Sequence, residues 1–99
     1  MLTSTPMEIC VLGIPYTVAL GEVEPGENGC CIPSKRLIGV REGLCEDEEM
    51  QVLIHEVLHA VLAGLSYDEL YADEHLVQGL AIGLHGVLDS IVPGGRFCA

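Results

Sequence analysis

Near residue 45 the hydrophobic pattern of this 99-residue chain changes period, from the short apolar runs of strands to the three-and-four spacing of amphipathic helices. Two halves of one α+β domain are implied, a small N-terminal β-sheet packed on helices from the second half. A chain of this length has room for one core, so residues 1–99 read as a single domain with one site at most.

In the first half, residues 8–12 (EICVL) and 16–20 (YTVAL) flank Gly13-Ile14-Pro15 and read as two strands joined by a tight turn. Residues 21–29 are rich in Gly, Pro and Glu and are expected as an exposed loop. Residues 30–40, interrupted by Pro33-Ser34, add at least one strand centred on residues 36–40. A sheet of three or four strands results.

From Glu46 the pattern is helical. Glu46-Asp47-Glu48-Glu49 places negative charge in the first turn, where it complements the helix dipole. Apolar residues at Met50, Ile54, Val57, Leu58, Val61, Leu62 and Leu65 then mark a buried face, and Gly64 ends a helix of roughly residues 46–63. Ser66-Tyr67-Asp68-Glu69 fits a capping box, so a second, antiparallel helix is expected to begin at once. Its stripe is Leu70, Glu74, Val77, Ala81, Leu84, Leu88 and Ile91, ended by Pro93-Gly94-Gly95. Gly79, Gly83 and Gly86 weaken this helix, and close approach of a neighbouring element would account for them.

Fifteen acidic residues against four basic ones give a formal charge of −11, which repels a phosphate backbone and disfavours nucleic acid as a partner. The same balance favours a divalent cation. The first residues lack a basic, apolar leader, and no run of eighteen apolar residues follows, so neither secretion nor membrane insertion is expected and the protein reads as cytoplasmic. Five cysteines form no CxxC pair, which argues against a disulfide scaffold or a zinc ribbon and for small buried hydrophobes.

The informative segment is His55-Glu56-Val57-Leu58-His59. Histidines four apart on a helix lie one above the other and can hold one tetrahedral metal, while Glu56, about 100° around, can take the proton of a bound water. The plain alternative is a pair of core histidines beside an exposed Glu. A third ligand separates the two readings. Glu74 is the only polar member of the second helix's stripe, where a buried carboxylate would be costly without a cation or a donor. His75, a softer donor, and Asp73 compete for the role from about 100° around the helix. His85, eleven residues beyond Glu74, is about 16 Å away along the helix and reads as an ordinary core or surface histidine.

The run Leu53-Ile54-His55-Glu56-Val57-Leu58-His59-Ala60, followed by Glu74-His75-Leu76-Val77-Gln78-Gly79-Leu80-Ala81-Ile82-Gly83-Leu84, resembles the small HExxH metallopeptidase-like proteins of phages and prokaryotes that are related to the minigluzincins. Residues 10–18 (CVLGIPYTV) are similar to their first hairpin. The resemblance implies a minimal zincin-like domain, with a sheet on an active-site helix and a glutamate helix. It implies one Zn²⁺ per chain held by His55, His59 and Glu74, with Glu56 as general base in peptide hydrolysis. These relatives often carry Tyr where this chain has His85.

The function expected is therefore a gluzincin-type zinc metallopeptidase acting on a peptide or protein. Tyr71, one turn before Glu74, is the first candidate to stabilise the oxyanion, with Tyr67 behind it. Residues 36–40 are the expected edge strand for an extended substrate, and Lys35, Arg36 and Arg41 cluster there to attract acidic segments or to protect the edge. Three other readings are a non-catalytic, zinc-stabilised regulatory or phage-host interaction protein, a metal-free helical binding module, and a latent peptidase. In the latent form Arg96-Phe97-Cys98-Ala99 folds back to put the Cys98 thiolate or the terminal carboxylate on the metal.

Overall fold

The computed structural model describes residue 2 and residues 5–91. Strands β1 (Met7–Val11) and β2 (Ile14–Leu20) form an antiparallel hairpin. Its turn is Leu12-Gly13, both residues at positive φ (52° and 78°), the two-residue geometry whose twist matches the flanking strands. The turn thus precedes the expected Gly13-Ile14-Pro15. Ile14 and Pro15 are strand residues opposite Val11 and Cys10. Pro15 falls at a non-hydrogen-bonded position towards β1, and β2 gains its other neighbour only from Thr17 onward, so no ladder bond is lost to the ring.

Residues 29–40 give two strands. β3 (Gly29–Ile32) leads through one turn of 3-10 helix (Pro33–Lys35) into β4 (Leu37–Val40), with Arg36 at φ 52° donating its N–H to the Pro33 carbonyl at 3.1 Å. The sheet order is β1-β2-β4-β3, with β4 parallel to β2 and antiparallel to β3. β4 is therefore interior, and β1 and β3 are the two edges; the expectation of an edge at residues 36–40 fails because β3 covers it. Lys35 and Arg36 precede β4 and Arg41 follows it, about 16 Å apart along an extended chain, so the expected basic cluster is divided between the two ends of the strand.

The core lies between the sheet and the first helix, α1 (Glu46–Gly64), where Val11, Tyr16, Val18, Ile38, Val40 and Ala60 pack together. Cys45 precedes α1 and donates its N–H to the Glu48 carboxylate at 3.4 Å. Glu49, buried, accepts from the Leu2 N–H at 2.7 Å. The expected capping box at Ser66 does not form: Ser66 has φ 64°, outside any N-cap geometry, and Tyr67 precedes only a single turn, α2 (Asp68–Tyr71). The second long helix, α3 (Glu74–Ser90), starts afresh at Asp73, whose carboxylate accepts from the Leu76 N–H at 3.0 Å. Asp73 is thus a helix cap.

α3 packs against α1. His59 meets Glu74, His55 meets Gln78, and Asp47 approaches His85 at 3.8 Å, so the two helices run in opposite directions. Of the expected stripe only Val77 and Ala81 are buried; Leu70, in α2, is exposed, and so are Leu84, Leu88 and Ile91, over which no second layer packs among the described residues. Residues 93–99, including the expected helix stop and the fold-back segment, lie outside the described residues. The cysteines depart from expectation too: Cys10 and Cys45 are exposed, and Cys30 and Cys31 half-buried. Burial, with Glu56 and Cys30 adding to it, pushes the Cys31 thiol up to about 12, so Cys31 is an uncharged packing group. Among the described residues no helix is long and apolar enough to cross a membrane.

Candidate metal centre

The centre is assembled by one turn of α1 against the first turn of α3. Helical spacing stacks His55 over His59 with ring centroids 4.9 Å apart, and the cap at Asp73 fixes where α3 begins, so that Glu74 projects towards both rings. His55 Nε2 stands 3.0 Å from Glu74 Oε1 and 3.2 Å from His59 Nε2, and His59 Nε2 stands 3.3 Å from Glu74 Oε1 and 3.0 Å from Oε2. These three side chains form a group that could hold a metal ion.

Glu74 belongs to this group for a different reason from the one its sequence position suggests. Its side chain is 68% exposed, so no burial penalty demands a partner. What places it is the restart of α3 opposite His59. Of the two competitors, Asp73 is occupied as the cap and His75 lies exposed outside the group.

Gln78, one turn beyond Glu74, has no counterpart in the sequence reading. Its Oε1 lies 2.7 Å from His55 Nδ1. With this carbonyl accepting, the His55 proton sits on Nδ1 and the Nε2 lone pair points at the Glu74 carboxylate and at His59. Acceptors that converge in this way are satisfied either by a cation between them or by a proton on His59 Nε2. The signal for Gln78 was its place at i+4 from Glu74, a polar residue within an otherwise apolar run. His59 Nδ1, by contrast, is buried with no hydrogen-bond partner among the described residues.

Glu56 is 7% exposed and lies between α1 and the edge strand β3. Burial raises its proton affinity above the usual carboxylate range, the nearby Glu74 and Glu27 carboxylates add to this, and the two imidazoles oppose it. Two clefts, of about 470 and 320 Å³, open on either side of the group and share Glu27, Gly29, Glu56 and Glu74. Tyr71 lines the second beside His59, with ring centroids 5.1 Å apart and edge-on. Burial raises its phenol above the ordinary value, so it stays protonated and able to donate. Tyr67 is 55% exposed and absent from both clefts. Arg41 donates to Asn28 Oδ1 at 3.3 Å, beside the first cleft.

Gly29 sets how closely β3 approaches this centre. A Cβ there would stand 2.5 Å from Val52 Cγ1 and 3.0 Å from Glu56 Oε2. Gly29→Ala is expected to force β3 off α1 and to cost about 1–3 kcal/mol, the range for overpacking, in thermal or urea denaturation. An unchanged midpoint would show that the edge strand is not pinned here. Compared with protein-family models, curated proteins and solved structures, the chain matches none.

Proposed function

We propose that the chain is a minimal zincin-like, zinc-dependent peptidase of gluzincin type, with α1 as active-site helix and α3 as glutamate helix. The observation that carries this reading is the triangle of donor atoms, with edges of 3.2, 3.0 and 3.3 Å, beside a buried carboxylate. Ligands about 2.0–2.1 Å from a tetrahedral zinc are separated by about 3.3 Å, so His55 Nε2, His59 Nε2 and one Glu74 oxygen match one face of such a site and leave a fourth position open. Two imidazoles and a carboxylate are a donor set suited to zinc. Gln78 orients His55 in the way that partners of metal-bound histidines do. Zinc, when bound, supplies Lewis-acid polarisation of a carbonyl and brings the pKa of water to near 7.

The chain's own groups divide the remaining work. An extended peptide pairs with the free edge of β3, which lies against Glu56. Glu56 accepts the proton of the attacking water and passes it to the leaving amine. Tyr71 donates its phenolic hydrogen to the oxyanion.

The test is zinc content and cleavage of an unfolded protein such as reduced casein. About one zinc per chain, with cleavage that a chelator abolishes and zinc restores, is the expected result. A full zinc complement without cleavage would instead assign the site to structural stabilisation. No zinc even after reconstitution would reduce the motif to a pair of core histidines and leave the helical hairpin as a binding module.

A further inference from the structure

We propose that the outer face of α3 is the contact surface of a homodimer, in which two copies of this chain pack α3 against α3. This rests on a different surface from the metal centre and is independent of the proposed chemistry.

α3 packs on α1 along one side, and its other side is apolar and open. Leu80, Leu84, Val87 and Ile91 are 43%, 43%, 53% and 49% exposed and recur at steps of four, three and four residues, the spacing of a coiled-coil seam. Leu88, 55% exposed, widens the patch, whereas Ile82 lies about 160° around the helix from Leu80 and Leu84 and is not part of it. The five half-exposed side chains on this face present on the order of 500 Å², toward the upper end of what monomers leave uncovered. Doubled by a two-fold axis, that area reaches the ~1,000 Å² at which biological interfaces begin.

Charge selects the occupant. The chain carries −11, and over most of its surface two copies repel. From His75 to Leu88 there is no Asp, Glu, Lys or Arg at all. This is a surface on which a second copy docks without burying or opposing like charges, whereas a strongly basic partner would find nothing there to pair with.

The glycines fit the same geometry. Gly79, Gly83 and Gly86 cost helix stability, yet apart from the helix's own backbone no atom of the described residues lies within 4 Å of where a Cβ on any of them would stand. The close approach that would justify them is not made among the described residues. Gly83 borders the Leu80–Leu84–Val87 seam on the side away from α1, where it lets the backbone of a second helix come near.

The experiment is sedimentation equilibrium of the full chain in reductant, from 5 to 500 µM on the order used for weak dimers, with Leu84→Glu and Val87→Glu as variants. Both positions are exposed in one chain, so retained helical circular dichroism checks that the variants fold. Wild type approaching twice the 10.6 kDa of one chain, with both variants monomeric, is the expected result. Monomeric wild type at every concentration overturns the proposal, as does a dimer that survives both substitutions. A wild-type monomer that dimerises only after removal of residues 92–99 would assign the face to the chain's own terminus and also overturn it.

Discussion

Glu56→Gln is expected to bind zinc as the wild type does and to lose roughly 10²–10⁴ of the peptide-hydrolysing rate, the range for removing a positioned general base. The amide preserves the shape of the carboxylate and its fit between Val52 and Gly29 but cannot accept a proton. Glu56 is not among the three side chains whose donor atoms converge, so metal content should not follow activity. That split is what distinguishes a base from a ligand. If zinc is lost with activity, Glu56 belongs to the ligand set; if activity survives, another group takes the proton and the reading of the motif fails.

Glu74→Ala is expected to bind little zinc and to lose the stability that zinc confers, while its metal-free stability stays near that of metal-free wild type. The asymmetry follows from exposure. At 68% exposed, the Glu74 side chain fills no space in the core, so truncating it leaves no cavity. With zinc at 100 times its dissociation constant, linkage adds about 2.7 kcal/mol to the wild type. For a domain of this size that is roughly 10–20 °C in melting temperature. The measurement is a pair of melting curves for each protein, with zinc and with chelator. His75→Ala serves as control and should track the wild type in both. A zinc-dependent shift that persists in Glu74→Ala and vanishes in His75→Ala would exchange their roles.

The change of period at residue 45 was enough to read a sheet followed by helices, and the four-residue histidine spacing was enough to read a stacked pair on one helical face. Local rules failed where a longer-range geometry prevailed. Gly13-Ile14-Pro15 looks like a turn by composition, but registering Val11 opposite Ile14 puts Leu12 at positive φ, a conformation no propensity would give to leucine. Ser66 and Glu69 match a capping box letter by letter, yet Asp73 is the residue that starts the helix reaching the candidate metal centre. Strand order was out of reach as well, since β3 and β4 are too short for an alternation that would say which lies outside. Glu74 was singled out by its place in an apolar stripe that is mostly uncovered, so the residue was right and its expected burial was not. Gln78 depends wholly on how α3 docks on α1, which is a tertiary fact.

The residues of the centre are close along the chain. His59 and Glu74 are 15 positions apart, His55 and Glu74 are 19, and His55 and Gln78 are 23. None of them belongs to the sheet. A cation held there closes a short loop, and the entropy given up in closing such a loop is small and grows only slowly with its length. The helical pair is therefore a unit that an ion would tie together without the sheet, in the manner of a cross-link. The parallel pairing of β2 with β4 closes a loop of similar length, 20 residues from Thr17 to Leu37, so what sets the helical pair apart is the ion that could bridge it and not a shorter loop.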